Sequence, residues 1–256
     1  SGIINLLWGD KLKITLITFA FSIFAVVYVI QLPNVYQSTA LLAPVKGENI
    51  NPLKNYSGIA AIAGISLSSE ARDPSIEAVQ RIGSFEFFSK SFLPTINLQD
   101  LMAVKNFNKQ TNQILYNDTF NSKSNTWAMT KGVSEKPSNQ EAFLIYKEII
   151  NIAVNKETGF ISISIEHQSP HIAQLWASRI YALINEKMRQ ETKLNVTKSI
   201  NFLNIQLNQT NYTELKAAIS ELLKEQTQIL MLAEANEQYI FKVIDSPIVP
   251  EKKKGS

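Results

Sequence analysis

The sequence predicts an α+β protein: a membrane-proximal mixed α/β base domain, a long projecting antiparallel helical hairpin, and an N-terminal transmembrane helix. Three observations lead there. Ile14 to Ile30 contains no charge and no proline. Strand-like segments near residues 36–45, 152–166 and 239–245 lie far apart in the chain, and short strands are marginal alone, so they are expected to share one sheet. His171 to Leu207 contains neither Gly nor Pro, and a turn and a second helical pattern follow it.

The apolar segment comes first. Ile14, Leu16, Ile17, Phe19, Phe21, Ile23, Phe24, Val26, Val27 and Ile30 supply its side chains. Its polar atoms are the hydroxyls of Thr15, Thr18, Ser22 and Tyr28, and a helical Ser or Thr can bond back to the carbonyl one turn earlier. At about 1.5 Å per residue, some 17–20 residues cross a hydrocarbon core of roughly 30 Å. Lys11 and Lys13 flank its N-terminal side and the next basic residue is Lys46, which places the N-terminus in the cytoplasm. A cleaved signal peptide has a shorter core and a small-x-small site, whereas Val35, Tyr36 and Gln37 follow here. A core helix of a soluble protein would show a polar face, and this segment has none.

Composition narrows the rest. Charged residues make up 18% of the chain and the net charge is +3, too weak for a nucleic-acid partner; Lys252–Lys254 lacks interleaved aromatics. The chain has no cysteine, which rules out disulfides and thiolate metal sites. Ser1-Gly2 and Gly255-Ser256 read as added scar residues and are set aside.

Past the membrane, Pro33 breaks the helix and residues 35–45 form a strand, with Val35, Gln37, Thr39 and Leu41 on one face. Residues 46–69 read as a long loop whose small apolar centre, Gly58 to Leu67, is too short to span a bilayer; it packs in a core, or else against a neighbouring subunit or the membrane. Asp73-Pro74 opens a helix with Ile76, Val79 and Ile82 on its face. Ser84 caps a second helix bearing Phe85, Phe87, Phe88 and Phe92, which stops at Pro94. Residues 97–139 are Asn-rich and poorly periodic, and read as loops and short helices. A helix over 141–150 turns Phe143, Tyr146, Ile149 and Ile150 inward. A short strand over 152–155 and a turn at 157–159 lead to the strand 160–166, with Ile161, Ile163 and Ile165 toward the core and Ser162 and Ser164 outward.

The long helix opens at Ser169-Pro170. Ile172, Leu175, Trp176, Ile180, Leu183 and Ile184 form a core stripe. Residues 189–193 are wholly polar, and the stripe resumes as Val196, Ile200, Leu203 and Leu207. Such a helix leaves its domain for solvent. A second helix begins at Asn211, with Glu214 completing a capping-box variant. Leu215, Ile219, Leu222, Gln226, Ile229 and Ala233 give it a seam that partners the resumed stripe. A last strand over 239–245 puts Tyr239, Phe241 and Val243 on one face.

The expected organisation is a cytoplasmic stub (1–11), a transmembrane helix (12–32), a periplasmic base (33–170 and 237–250), the hairpin (171–236) and a truncated juxtamembrane tail (251–256). No catalytic, cofactor or metal site is expected. Phosphate-loop spacing and a nucleophile elbow are absent. His167 and His171 are four apart, but Pro170 between them puts His167 ahead of the helix and spoils a shared face. Carboxylates are scattered, with no inward pair.

The order of several segments resembles a known family. Glu77 to Phe87 (EAVQRIGSFEF) is similar to its helix pair with an L-x-S-x-x-F junction. Thr158-Gly159-Phe160 to Glu166, then Ser169-Pro170-His-Ile-Ala173, resembles its TG-strand followed by a (D/S)P-x-x-A helix. Asp245, Pro247 and Pro250 stand in the V-x-D-x-P-x-x-P pattern that precedes a second membrane helix in the family. These features resemble the Wzz-type chain-length determinants, the polysaccharide co-polymerases of bacterial inner membranes. The resemblance implies a homo-oligomeric ring in the inner membrane, most of the chain periplasmic, that works without catalysis of its own. Its implied partners are a Wzy-type polymerase and an undecaprenyl-linked polysaccharide, O-antigen or a related glycan, whose modal length it sets. Arg189, Gln190 and Lys193 are then candidates for the projecting surface. An alternative is the membrane component of a capsule or exopolysaccharide exporter with a separate tyrosine kinase. A glycan hydrolase is disfavoured by the missing acid pair.

Overall fold

The computed structural model describes residues 15–19, 21–24, 34–45, 73–130 and 133–254. The chain divides into two units, Ser1–Asn34 and Val35–Ser256. In the first, residues 15–19 and 21–24 are helical. Ser22 Oγ donates to the Thr18 carbonyl at 2.9 Å, the back-bond its spacing predicts. Leu16, Ile17, Phe19, Phe21, Ile23 and Phe24 are exposed. Among the described residues no helix is long and apolar enough to cross a membrane. The remainder of the expected span, including Ile14, Val26, Val27 and Ile30, lies outside the described residues, as does Gly58 to Leu67.

The second unit is built on a four-stranded antiparallel sheet. β1 (Tyr36–Pro44) and β9 (Ile161–His167) are central, and β8 (Ile150–Val154) and β10 (Phe241–Asp245) form the edges, in the order β10-β1-β9-β8. The distant strand segments therefore do share one sheet. Ala40 lies opposite Ile163 and Leu42 opposite Ile161, which places the apolar alternation of both strands on one buried face. Ser164, expected outward, is buried on the other face by its cross-strand partner, with 2.8 Å between Thr39 Oγ1 and Ser164 Oγ.

Helices cover the apolar face: α1 (Pro74–Ile82), α2 (Phe85–Phe87), α3 (Leu98–Met102), α4 (Asn139–Ile149) and the first half of α5 (Pro170–Gln209). Asp73 Oδ1 accepts from Ser75 N–H at 2.9 Å, and Ser84 Oγ from Phe87 N–H at 3.2 Å, so both caps form as expected. α1 is turned relative to its expected face. It buries Ser75, Ala78 and Ile82 while Ile76 is exposed, because the small residues let the helix approach the core closely. After α2 the chain passes through a π-helical turn (Phe88–Phe92) and a 3₁₀ turn (Leu93–Thr95). The π turn aims Phe88 and Phe92 inward, where Phe88 packs on Tyr146 at 4.9 Å and Phe92 meets Trp176 edge-on at 5.7 Å.

Residues 97–139 differ from the expectation. After α3 they fold into three two-stranded ribbons: β2 (Val104–Asn108) with β3 (Gln113–Tyr116), β4 (Phe120–Asn121) with β5 (Thr126–Trp127), and β6 (Met129–Thr130) with β7 (Val133–Ser134). The asparagines that looked like loop filler are turn residues. Asn112 and Asn125 take positive φ, and the Asn108 and Asn121 side chains accept two backbone N–H bonds each.

A buried polar group ties the ribbons to the sheet. His167 closes β9 and accepts from Ser169 N–H through Nδ1 at 2.9 Å, so Nε2 carries the proton and donates to the Asp100 carbonyl at 2.8 Å. The Asp100 carboxylate accepts from Tyr116 Oη at 2.5 Å and Asn97 Nδ2 at 3.0 Å. Burial holds the imidazole below its ordinary value of 6.5. Below that value the unfolded chain binds a proton that the folded chain refuses, so the contribution of His167 to stability falls as pH drops below about 6.5 and is constant above it. Urea midpoints at pH 8 and pH 5 are expected to diverge more for the unmodified protein than for His167→Gln; equal divergence would remove the assignment.

Candidate functional site

The hairpin is the most distinctive surface of this unit. α5 does two jobs along its 40 residues. Ile172, Trp176, Ile180 and Ile184 are buried in the base, while Leu175 is exposed, so the stripe is narrower than expected. Beyond residue 195, Val196 is buried and Leu203 packs on Ile219 and Leu222 of α6 (Thr213–Ala235), which also buries Ala218, Gln226 and Ala233. The seam matches its spacing. The expected cap at Glu214 does not form: α6 starts after Tyr212, with no side-chain cap bond. Glu225 Oε2 is buried beside this seam without a partner among the described residues, and burial, reinforced by Glu221, raises its carboxyl.

Arg189, Gln190 and Lys193 lie at the root of the hairpin, where they take part in an ionic layer. Arg189 Nη2 sits 2.7 Å from Glu186 Oε2, and Gln190 Nε2 donates to Glu186 Oε1 at 2.6 Å. The hydrogen bonds from Gln190 and Arg189 hold the Glu186 carboxyl below its ordinary range. Lys193 Nζ reaches Glu234 of α6 at 3.5 Å. Glu191, which sequence reasoning passed over, bridges two elements: Arg81 of α1 at 2.9 Å and Lys187 at 3.0 Å. The polar break in the α5 stripe is thus where three helices meet through charges. Its signal was the break itself, which is one turn long and flanked by apolar seams.

Asn185 sits just before this layer. Its Oδ1 accepts from Ile240 N–H and Phe241 N–H at 2.9 Å each, and its Nδ2 donates to the Phe241 carbonyl at 3.0 Å. One side chain therefore receives the strand that returns from the hairpin.

The third group of expected residues, Asp245, Pro247 and Pro250, lies at the end of β10 and on the segment after it. Asp245 is paired opposite Leu41, Pro247 is buried, and neither proline has an N–H to extend the ladder. The segment runs back along β1: Ser38 Oγ donates to the Ile248 carbonyl at 2.7 Å, and Lys254 N–H to the Val35 carbonyl at 2.7 Å. Lys254 Nζ also meets Glu166 at 2.5 Å. The beginning and end of this unit are therefore neighbours. Among the described residues no cluster of His, Asp and Glu could hold a metal ion.

Comparison with known proteins adds an independent finding. No curated protein matches the chain. Solved structures do align, among them three at 12% identity. A full-length bacterial polysaccharide co-polymerase covers 99% of this chain and 88% of its own, with a TM-score of 0.37. A fragment of WzzB, a polysaccharide co-polymerase from Salmonella Typhimurium, covers 87% and 100%, with 0.36. A point mutant of the Shigella flexneri lipopolysaccharide O-antigen chain-length regulator covers 86% and 100%, with 0.30. The family model of the chain length determinant protein matches residues 1–82, which include the apolar segment, β1 and α1. Over those residues the chain carries the pattern of the Wzz chain length determinant family, and the resemblance first read from its motifs is borne out.

Proposed function

We propose that this chain sets the modal length of a surface polysaccharide, O-antigen or a related glycan, made by a Wzy-type polymerase. It acts as an oligomeric scaffold of the bacterial inner membrane and performs no catalysis of its own. The segment 12–32 anchors it, the unit from Val35 onward is periplasmic, and the hairpin points away from the bilayer. The observation that carries this reading is the match of residues 1–82 to the chain length determinant family. Two features support it. Uncharged, exposed side chains fill the helical residues 16–24 that are described. The unit's first and last described residues also lie together, so the chain enters and returns on one side of the base.

Deleting the gene and separating the surface polysaccharide on a gel tests the reading. The expected result is loss of the clustered length distribution, restored by the intact gene. An unchanged ladder in the deletion strain would refute it.

A further inference from the structure

A cleft of about 540 Å³ opens where three segments of the second unit converge: the β2–β3 turn, the start of α5, and the returning C-terminal segment. Its walls present Lys109 from the turn, His171 from the helix and Lys252 from the returning segment, with Phe107 as an apolar side. We propose that this cleft binds a phosphate-bearing anion.

Charge carries the case. Among the described residues neither Lys109 nor Lys252 forms an ion pair. Lys109 Nζ donates to the backbone carbonyl of Glu251 at 3.2 Å, a neutral acceptor that fixes the ammonium without cancelling its charge. Glu251 is the acidic residue of the lining among the described residues, set against two ammonium groups and an imidazole. The turn that presents Lys109 is closed by its own bonds: Asn108 Oδ1 accepts from Gln110 and Thr111 N–H, and Asn112 adopts positive φ. Phe107 packs edge-on to His171 at 6.3 Å, which fixes the opposite wall.

The start of α5 adds to the same field. Ser169 makes no side-chain cap bond and the first turn carries no acidic residue, so the positive end of a 40-residue helix has no anion of its own. A compact group with two or more negative oxygens suits two ammonium groups brought by different segments better than a monocarboxylate does. Pyrophosphate, a phosphodiester lipid headgroup and a phosphorylated glycan end share that chemistry.

The test uses the full chain in detergent with inorganic pyrophosphate as the probe, followed by calorimetry. Saturable binding is expected, weakened at least roughly tenfold in the double variant Lys109→Gln/Lys252→Gln. Lys123→Gln, on a different ribbon, is expected to leave binding unchanged. Thermal melts of all three proteins should coincide, which separates loss of the site from loss of the fold. A second arm measures co-sedimentation with phosphatidylglycerol and phosphatidylcholine vesicles. Attachment through the apolar N-terminal segment would be the same for every variant. A preference for phosphatidylglycerol that vanishes in the double variant alone identifies a lipid headgroup as the source, even where free pyrophosphate binds weakly. Equal pyrophosphate and vesicle binding by the double variant and the unmodified protein overturns the proposal, as does absence of both.

Discussion

Replacing Asn185 by Leu is expected to cost roughly 3–5 kcal/mol of folding stability. The side chains are similar in size, so the loss is not one of packing. Asn185 satisfies two backbone N–H groups and one carbonyl at Ile240 and Phe241, where no water competes. Without it, those groups stay buried and unpaired, and each carries a penalty of about 1–3 kcal/mol. The effect should concentrate at the point where α6 hands the chain back to the sheet. Asn204→Leu on the exposed face of the same helix is the comparison, with an expected change within about 0.5 kcal/mol. Guanidinium denaturation followed by circular dichroism measures both. If Asn185→Leu unfolds with the unmodified midpoint, the clamp has no energetic role.

Trp176→Ala is the second large effect, at about 3–5 kcal/mol. The indole is almost wholly buried, packed edge-on to Phe92 at 5.7 Å and to His167 at 5.1 Å. It joins α5 to the sheet through His167 and to the π-helical turn through Phe92. A cycle combining Trp176→Ala with Phe92→Ala should return a coupling of roughly 0.5–1.5 kcal/mol, as aromatic pairs in contact do. Additive losses would mean that the two rings stabilise the core independently. A loss under about 1 kcal/mol for Trp176→Ala alone would place the indole outside the core.

Periodicity makes the sheet core and the hairpin seam readable from the sequence. Ile161, Ile163 and Ile165 alternate because one face of β9 is dry, and Ile219, Leu222 and Gln226 recur because α6 lies along α5. The ribbons between residues 104 and 134 are unreadable for the opposite reason. Their strands are two to five residues long, and their signal sits in asparagines that also populate loops. The Asp100–His167–Tyr116 group is equally hidden, since its members are joined only by the fold. At the hairpin root, Arg189, Gln190 and Lys193 stand out as a polar interval, but their partners Glu186 and Glu234, and the bridge from Glu191 to Arg81, belong to tertiary structure.

Lys254 N–H bonded to the Val35 carbonyl has a mechanical consequence. Force applied across these two positions would load the edge of β1 one bond at a time, from Lys254 through Ile248 toward β10, in the manner of a zipper. The hairpin, far along the chain from both grips, would feel no tension until that seam had parted. A pull that separates these two positions would therefore be taken up by a few contacts along β1 before any of it reached the α5–α6 hairpin.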